Sequence, residues 1–333
     1  MPRVLILHTG GTLGMTGEPL KPDAFSMALT DAVPEIAGLA ELEIRIVFNL
    51  DSSDMGPPHW TELAQIIDAN RRDFDGFVIV HGTDTMAYTA SALAYGLCGL
   101  DRPVILTGAQ RPLAALRTDA RRNLVDAVEL ATRPIFEVGI CFDGLLLHGA
   151  RTTKSNAHDY RAFESPNAAP LARLGVDVEM EGGAEHRKSP YLFRPDFDPS
   201  VLVLQVSPGI NPAHFRSLAS PESGLRGLVL AAYGLGTVPT GDPDVAAVVA
   251  DAVDAGIDVL TVTQSAGRID LSQYENSRAL RDAGAISGGE MTVEAAVTKL
   301  MHGLANFTDR DSRRAYLLSN VAGERGAHSA TKN

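Results

Sequence analysis

The stretch "VHGTDTMAYTAS" (80–91) places the hydroxyl of Thr83 beside the carboxylate of Asp84, between an apolar run and a helical pattern. A threonine hydroxyl is a weak nucleophile until a base takes its proton. A lysine that is held neutral can act as that base, and a neighbouring carboxylate can orient it. Lys154 in "HGARTTKSNAHDYRAF" (148–163) is the candidate base. These three side chains form a candidate catalytic group if the fold brings them together.

A second candidate nucleophile lies in the glycine-rich loop "HTGGTLGMTG" (8–17), which carries the hydroxyls of Thr9 and Thr12. The loop has neither the glycine spacing of a dinucleotide-binding fingerprint nor the Gly-Lys-Ser/Thr ending of a phosphate loop. Gly10 and Gly11 instead allow backbone N–H groups to face a ligand. Thr12 would then be the attacking group or its helper.

Two further polar segments also follow apolar runs of strand length. "NLDSSDM" (49–55) carries the adjacent hydroxyls of Ser52 and Ser53, and "TGAQRPLAALRTDARRN" (107–123) begins with a turn at Ala109. In doubly wound α/β folds, ligands bind beyond the carboxyl ends of the strands. We therefore expect these residues at the same rim of a sheet as the candidate catalytic group.

Each candidate residue also has an ordinary structural interpretation. Thr83 and Asp84 are typical of a helix N-cap, which could coexist with a catalytic role. Ser52 and Ser53 are typical of a polar turn, and Lys154 is typical of an exposed surface.

Apolar runs alternate with helical patterns along most of the chain, which predicts an α/β fold with a doubly wound sheet buried on both faces. The predicted strands are 3–8, 43–49, 77–82, 103–108, 137–144, 201–209, 227–236 and 258–265, and the predicted helices are 61–72, 89–97, 244–256 and 292–307. Periodicity lapses near residue 190, which indicates a linker. We expect a larger N-terminal catalytic domain (1–182), a linker (183–200) and a smaller C-terminal α/β domain (201–333) whose tail is disordered from about residue 323.

Composition narrows the functional classes. The chain has 333 residues and a formal net charge of −12, with 45% hydrophobic and 21% charged residues. Such an acidic chain does not favour nucleic acid or an anionic membrane surface as a partner. No run reaches membrane-spanning length, and the apolar run before His8 has only four residues, so we expect a cytoplasmic protein. Cys98 and Cys141 lack metal-cluster and disulfide spacing and are expected to be buried thiols.

The histidines do not indicate a metal site, because they lack the short paired spacing of zinc ligands. His8 and His81 each end a predicted strand, where a single histidine is more often a buried structural residue than a catalytic one. No metal or cofactor is expected.

The chain resembles the bacterial-type L-asparaginase family, and the cytoplasmic type I branch more than the periplasmic type II branch. "HTGGTLG" and "VHGTDTMAYTASAL" look like the two active-site signatures of that family. Four further blocks match in the same order: "LDSSDM", "TGAQRPLAALRTDARRNLVDAV", "LLHGARTTKSNAHDYRAFESPN" and "EMTVEAAVTKL". Six ordered blocks make chance a poor explanation.

The resemblance implies hydrolysis of the asparagine side-chain amide to aspartate and ammonia, without metal or cofactor, by a homodimer or homotetramer. It implies that Thr12 is the primary nucleophile and that Thr83, Lys154 and Asp84 form a second hydroxyl–base–carboxylate group.

The resemblance also implies the contacts that hold the substrate. Asp84 would bind the α-ammonium group, Ser52 and Ser53 the α-carboxylate, and the backbone carbonyl of Ala109 the amide NH2. Backbone N–H groups around Gly11 and Thr83 would stabilise the tetrahedral oxyanion.

The chain departs from the family at one position. The family has a tyrosine roughly a dozen residues after the nucleophilic threonine, whereas segment 13–30 has none and offers only Phe25. The group that activates Thr12 is therefore unassigned. Three alternatives are a hydrolase of a related small amide (glutamine, D-asparagine or a derivative), a tRNA-linked amidotransferase subunit, and an inactive binding homologue.

Overall fold

The computed structural model describes residues 1–16, 21–22, 29–181, 189–219, 223–242 and 244–326. The chain divides into two compact units, Met1–Pro195 and Asp196–Asn333. This division falls inside the predicted linker, of which residues 183–188 lie outside the described part. Phe25 also lies outside the part of the chain that the structure describes.

The first unit is built on a sheet of eight strands with α-helices packed against it. Its strands are β1 (Arg3–Gly10), β2 (Met15–Thr16), β3 (Lys21–Pro22), β4 (Glu41–Leu50), β5 (Gly76–Val80), β6 (Val104–Thr107), β7 (Val138–Phe142), β8 (Leu145–His148), β9 (Thr153–Lys154), β10 (Phe163–Glu164), β11 (Ala172–Leu174) and β12 (Val178–Met180). Its α-helices are α1 (Leu29–Ala32), α2 (Pro57–Asn70), α3 (Met86–Gly96) and α4 (Ala120–Ala131). The predicted α/β fold is confirmed.

The order of strands in this sheet is β12-β11-β8-β7-β6-β5-β1-β4. β4, β1, β5, β6 and β7 run parallel. Because β4 and β5 lie on opposite sides of β1, the order of strands reverses there. The carboxyl ends of these strands are therefore where a doubly wound fold binds its ligand.

Two apolar runs of the sequence form central strands of the sheet. All five residues of β5 and all four of β6 are buried, because helices cover both faces of the sheet. The prediction of burial on both faces is wrong for 43–49, since β4 lies at one edge of the sheet and is only partly buried.

The sheet also contains an antiparallel part that the sequence analysis missed. β7 turns into β8 through Asp143 and Gly144, with φ of 48° and 71°. An Asp-Gly pair suits a two-residue hairpin turn with positive φ at both positions. Segment 137–144 is therefore a strand and its turn, followed by an antiparallel partner.

The second unit has a four-stranded parallel sheet in the order β13-β14-β15-β16. Its strands are β13 (Val201–Gln205), β14 (Gly227–Ala232), β15 (Asp258–Thr263) and β16 (Ile286–Ser287), and its α-helices are α5 (Val245–Asp254), α6 (Glu275–Asp282), α7 (Val293–Asn306) and α8 (Arg310–Leu318). Thr292 caps α7 by accepting a hydrogen bond from the Ala295 N–H. Within the described residues, no helix has the length and apolarity needed to cross a membrane.

The segment after α8 contradicts the prediction of a disordered tail from residue 323, at least as far as Gly326. Glu324 is fully buried and pairs with Lys299, whose side chain is also fully buried. The Glu324 carboxylate accepts hydrogen bonds from the N–H groups of Val321 and Ala322 as well. Burial lowers the pKa of Lys299, and Glu324 opposes that shift. An ion pair with these added hydrogen bonds holds the segment in place. Residues 327–333 lie outside the described part.

Glu324→Gln should therefore destabilise the protein. It leaves the Lys299 ammonium buried without its carboxylate, a change that costs about 3–5 kcal/mol in comparable pairs. Urea titration of wild type and variant would measure the loss in the free energy of unfolding. The double variant Lys299→Met/Glu324→Leu removes both charges and should recover much of the loss. Equal stability of Glu324→Gln and wild type would contradict the assignment.

Candidate active site

The loops that follow β1, β4 and β5 are in backbone contact. Gly11 has a φ of +87°, and a Cβ built there would lie 2.5 Å from the Gly82 nitrogen. A Cβ built on Gly82 would lie 2.7 Å from the Ser52 Cβ. Only glycine fits at these two positions. The contact brings together the segments that carry Thr12, Thr83 and Ser52.

The structure separates the two hydroxyls of the glycine-rich loop. Thr9 is buried at the end of β1, and its hydroxyl donates to the Val80 carbonyl at 3.0 Å. Thr12 is half-buried and begins a 3₁₀ helix, Thr12–Gly14, beyond the strand. Thr9 is therefore committed to the neighbouring strand, and Thr12 is the hydroxyl that a ligand at the rim could reach.

Lys154 joins the hydroxyl and carboxylate that follow β5. Its Nζ lies 2.7 Å from Thr83 Oγ1 and 2.6 Å from Asp84 Oδ1. The Lys154 side chain is 15% exposed and that of Asp84 68% exposed. Lys154 is therefore not a surface lysine. Its position comes from β9, which pairs with β10 so that Lys154 lies opposite Phe163.

The interpretation of Thr83 and Asp84 as a helix cap is wrong. α3 begins at Met86, and its N-cap residue is Thr85. The Thr85 hydroxyl instead donates to the Ser52 carbonyl at 2.6 Å. Thr83 and Asp84 therefore lie outside the helix, with side chains directed to Lys154.

Ser52 and Ser53 belong to a 3₁₀ helix, Ser52–Asp54, after β4. Ser52 is buried and Ser53 is exposed. The N–H and hydroxyl of Ser53 both donate to the Asp51 carboxylate, at 2.9 and 2.8 Å, and these bonds lower the pKa of Asp51. Binding of a substrate carboxylate by the two serines stays a prediction.

Gln110 is a site residue that the sequence analysis missed. Its Oε1 accepts a hydrogen bond from Thr83 Oγ1 at 3.3 Å, and its Nε2 donates to the Asp159 carbonyl at 3.0 Å. It also lines a cavity of about 380 Å³ together with Arg111, Arg117, Ala157, His158 and Tyr160. Its place directly after Ala109, at the carboxyl end of β6, was the available signal.

One predicted oxyanion donor is already engaged. The Gly11 N–H donates to the Leu50 carbonyl at 3.2 Å. Within the described residues, the Thr83 N–H has no such backbone acceptor. Thr83 is therefore the better-placed donor of the two.

Both strand-end histidines are buried. Burial lowers the pKa of His8, and it lowers the pKa of His81 from 6.5 to about 4 against the opposing bond to the Gly82 carbonyl. His81 therefore stays neutral at neutral pH.

The two cysteines differ in burial. Cys98 is half-buried rather than buried, and Cys141 is buried as predicted.

The depressed pKa of His81 makes stability depend on pH. The unfolded chain takes up a proton near pH 6.5, whereas the folded protein does so only near pH 4, so stability falls as pH falls between these values. The loss from this group should approach the order of 3 kcal/mol at the acid end. Thermal melts at pH 4.5 to 7.5 should show a shallower acid decline for His81→Asn than for wild type. Parallel declines would contradict this account.

The fold and site define an amidohydrolase of the asparaginase family, and comparison with known proteins places the chain there. Residues 3–186 match the family described as "Asparaginase, N-terminal", and residues 200–317 match the "Glutaminase/Asparaginase C-terminal domain". The chain belongs to this family.

Particular relatives agree with the type I resemblance. The chain is 40% identical to L-asparaginase 1 of Escherichia coli over 279 residues, which are 83% of this chain and 82% of that protein. It superposes on the L-asparaginase of Thermococcus kodakarensis with a TM-score of 0.89 at 32% identity, over 97% and 99% of the two chains. For L-asparaginase I of Vibrio cholerae the TM-score is 0.88 at 34% identity, over 98% and 99%.

Proposed function

We propose that the protein hydrolyses the side-chain amide of L-asparagine to L-aspartate and ammonia, with Thr12 as nucleophile. The observation that carries this proposal is the position of Lys154 Nζ within hydrogen-bond distance of both Thr83 and Asp84, at the rim beyond the strand ends. The names of the relatives support asparagine as the substrate.

The chemistry proceeds in two acyl-transfer steps. The Thr12 oxygen attacks the carboxamide carbon, and the C–N bond breaks as the nitrogen takes a proton and leaves as ammonia. Water then attacks the resulting ester, releases aspartate and returns the proton to Thr12. The Thr83 hydroxyl lies between Lys154 and Gln110. In the second step, that hydroxyl can take a proton from the attacking water while it passes its own to a neutral Lys154 Nζ, with Asp84 holding the amine in place; the proton then returns through Thr83 to the leaving Thr12 oxygen.

The proposed substrate contacts include a carboxylate that can accept further hydrogen bonds. Asp84 is largely exposed, and a carboxylate can accept several hydrogen bonds, so it can bind the α-ammonium group while it contacts Lys154. Ser52 and Ser53 hold the α-carboxylate, for which the Ser53 hydroxyl turns away from the Asp51 carboxylate, and the Ala109 carbonyl accepts from the amide NH2. The Thr83 N–H donates to the oxyanion.

We also propose, from the family resemblance, that the protein is cytoplasmic and forms a homodimer or homotetramer.

Thr12→Val should leave folding intact and lower kcat by on the order of 10³-fold or more, because the nucleophilic oxygen is gone. The matched control is Thr9→Val, which removes the neighbouring buried hydroxyl. It should cost about 1 kcal/mol of stability and keep most of the turnover. Ammonia release from asparagine, glutamine and D-asparagine is the measurement. A Thr12→Val variant with a tenth of wild-type turnover would remove Thr12 from the role, and a wild type that prefers another amide would change the substrate.

A further inference from the structure

Next to the proposed catalytic group, a histidine holds one end of a peptide group. His81 lies directly after β5 and is 1% exposed. Its Nδ1 lies 2.7 Å from the Gly82 carbonyl oxygen. A carbonyl oxygen only accepts hydrogen bonds, so Nδ1 carries the proton. The imidazole thus donates to the peptide group that joins Gly82 and Thr83.

The other side of the imidazole is also fixed. Its Nε2 lies 2.9 Å from the hydroxyl oxygen of Thr89 on α3, which accepts a hydrogen bond from Trp60 Nε1 on α2 at 3.1 Å. The indole N–H only donates, so the Thr89 hydroxyl directs its own proton to Nε2. The four groups form one directed chain: Trp60 to Thr89, Thr89 to His81, and His81 to Gly82.

We propose that His81 is a positioning residue, which aims the Thr83 N–H at the oxyanion by holding the Gly82 carbonyl. A trans peptide group is planar, and its C=O and N–H point in opposite directions. A glycine allows more rotation of this peptide group than another residue would. Fixing the carbonyl therefore fixes the N–H, and donation to the carbonyl also strengthens the N–H as a donor.

This inference rests on the proposed function, since it assumes an oxyanion that Thr83 stabilises. Removal of a whole oxyanion donor costs about 10²–10³-fold in kcat, and misalignment of one should cost less, about tenfold. Since the charge develops only in the transition state, kcat should fall with little change in KM.

Two substitutions at His81 distinguish positioning from packing. His81→Leu removes the donor, whereas His81→Asn places an amide nitrogen near the position of Nδ1. His81→Leu should lose about tenfold in kcat at unchanged KM, and His81→Asn should stay within about threefold of wild type. If His81→Leu fails to fold, His81→Gln, which moves the amide towards Thr89, serves in its place. Thr89→Val is the control, because it weakens the network and keeps the Nδ1 donor.

The outcomes distinguish failure of the role of His81 from failure of the proposed function. Wild-type kcat in the variant that lacks the donor would overturn the role of His81, as would a tenfold loss in a folded His81→Asn. An equal loss in Thr89→Val would show that kcat follows the stability of the network, which also overturns it. Failure of the wild-type protein to release ammonia from asparagine would instead overturn the proposed function.

A different observation assigns a second positioning residue, Asp119. Both of its carboxylate oxygens accept from the Gln110 N–H, at 3.1 and 2.9 Å, and one accepts from the Arg111 N–H at 3.1 Å. Asn123 donates to the same carboxylate at 3.1 Å and to the Gly108 carbonyl at 3.0 Å. The Gln110 N–H belongs to the peptide group whose carbonyl is that of Ala109.

We infer that Asp119 aims the Ala109 carbonyl at the amide NH2 of the substrate, because a planar peptide held at its N–H has a fixed carbonyl direction. The bond to the NH2 exists with asparagine but not with the product aspartate, which carries oxygen there. Loss of alignment should therefore weaken binding of asparagine and leave binding of aspartate unchanged.

Asp119→Asn tests this assignment, because it places an NH2 or a weaker acceptor against the backbone N–H groups. KM for asparagine should rise about tenfold, while the inhibition constant of aspartate should change less than about twofold. The control is Thr118→Ala, which loosens the same loop by removing a hydroxyl that donates to the Arg111 carbonyl. Equal weakening of asparagine and aspartate, or an equal effect of Thr118→Ala, would overturn the role of Asp119.

Discussion

The site depends on direct backbone contact between the loops at the carboxyl ends of three parallel strands. The backbone of Gly11 contacts that of Gly82, and Gly82 contacts the side chain of Ser52, with no room for a Cβ at either glycine. The register of the sheet sets the heights of these loops, since His8 pairs with Val80 and Gly10 with Leu50. The groups proposed to act on the substrate therefore take their spacing from the register of the sheet.

Lys154, the proposed base, comes from a part of the chain far from the strand ends that carry the other proposed site residues. It lies 71 residues after Thr83 and reaches it from a short antiparallel pair, opposite Phe163. Its buried stem and its two polar partners give the amine a single position. The first unit thus combines a rim of strand ends with a proposed base supplied by the separate β9–β10 pair.

The sequence predicted those parts of the fold that burial dictates. The apolar runs of β5 and β6 identified central strands, because helices cover both of their faces. The prediction that β4 is buried on both faces is wrong, and the available signal was the alternation of Glu43 and Arg45 with Leu42, Ile44 and Ile46, which is typical of a half-buried strand. The sequence predicts a disordered tail at Glu324 because charged residues are typical of exposed segments and its partner, Lys299, is distant in the chain.

In the candidate site as well, the sequence identifies residues that lie within a recognisable motif and misses those whose roles depend on distant partners. Thr83 and Asp84 could be found because they follow an apolar run within a recognisable motif, and their partner Lys154 because a similar motif surrounds it. His81 could not be given a role, since that role depends on Trp60 and Thr89 from two helices. Asp119 escaped notice because its partner Gln110 meets it only when the intervening loop folds back.

The proposed use of a backbone N–H to stabilise the oxyanion has an evolutionary consequence. Every residue except proline carries a backbone N–H, so almost no codon change at position 83 can delete that donor. Variation in the contribution of this one donor would act instead through side chains that set the direction of the peptide, such as the imidazole that donates to the Gly82 carbonyl. Divergence among such enzymes can then alter turnover by changing residues that never touch the substrate, while the residues in contact with it stay the same.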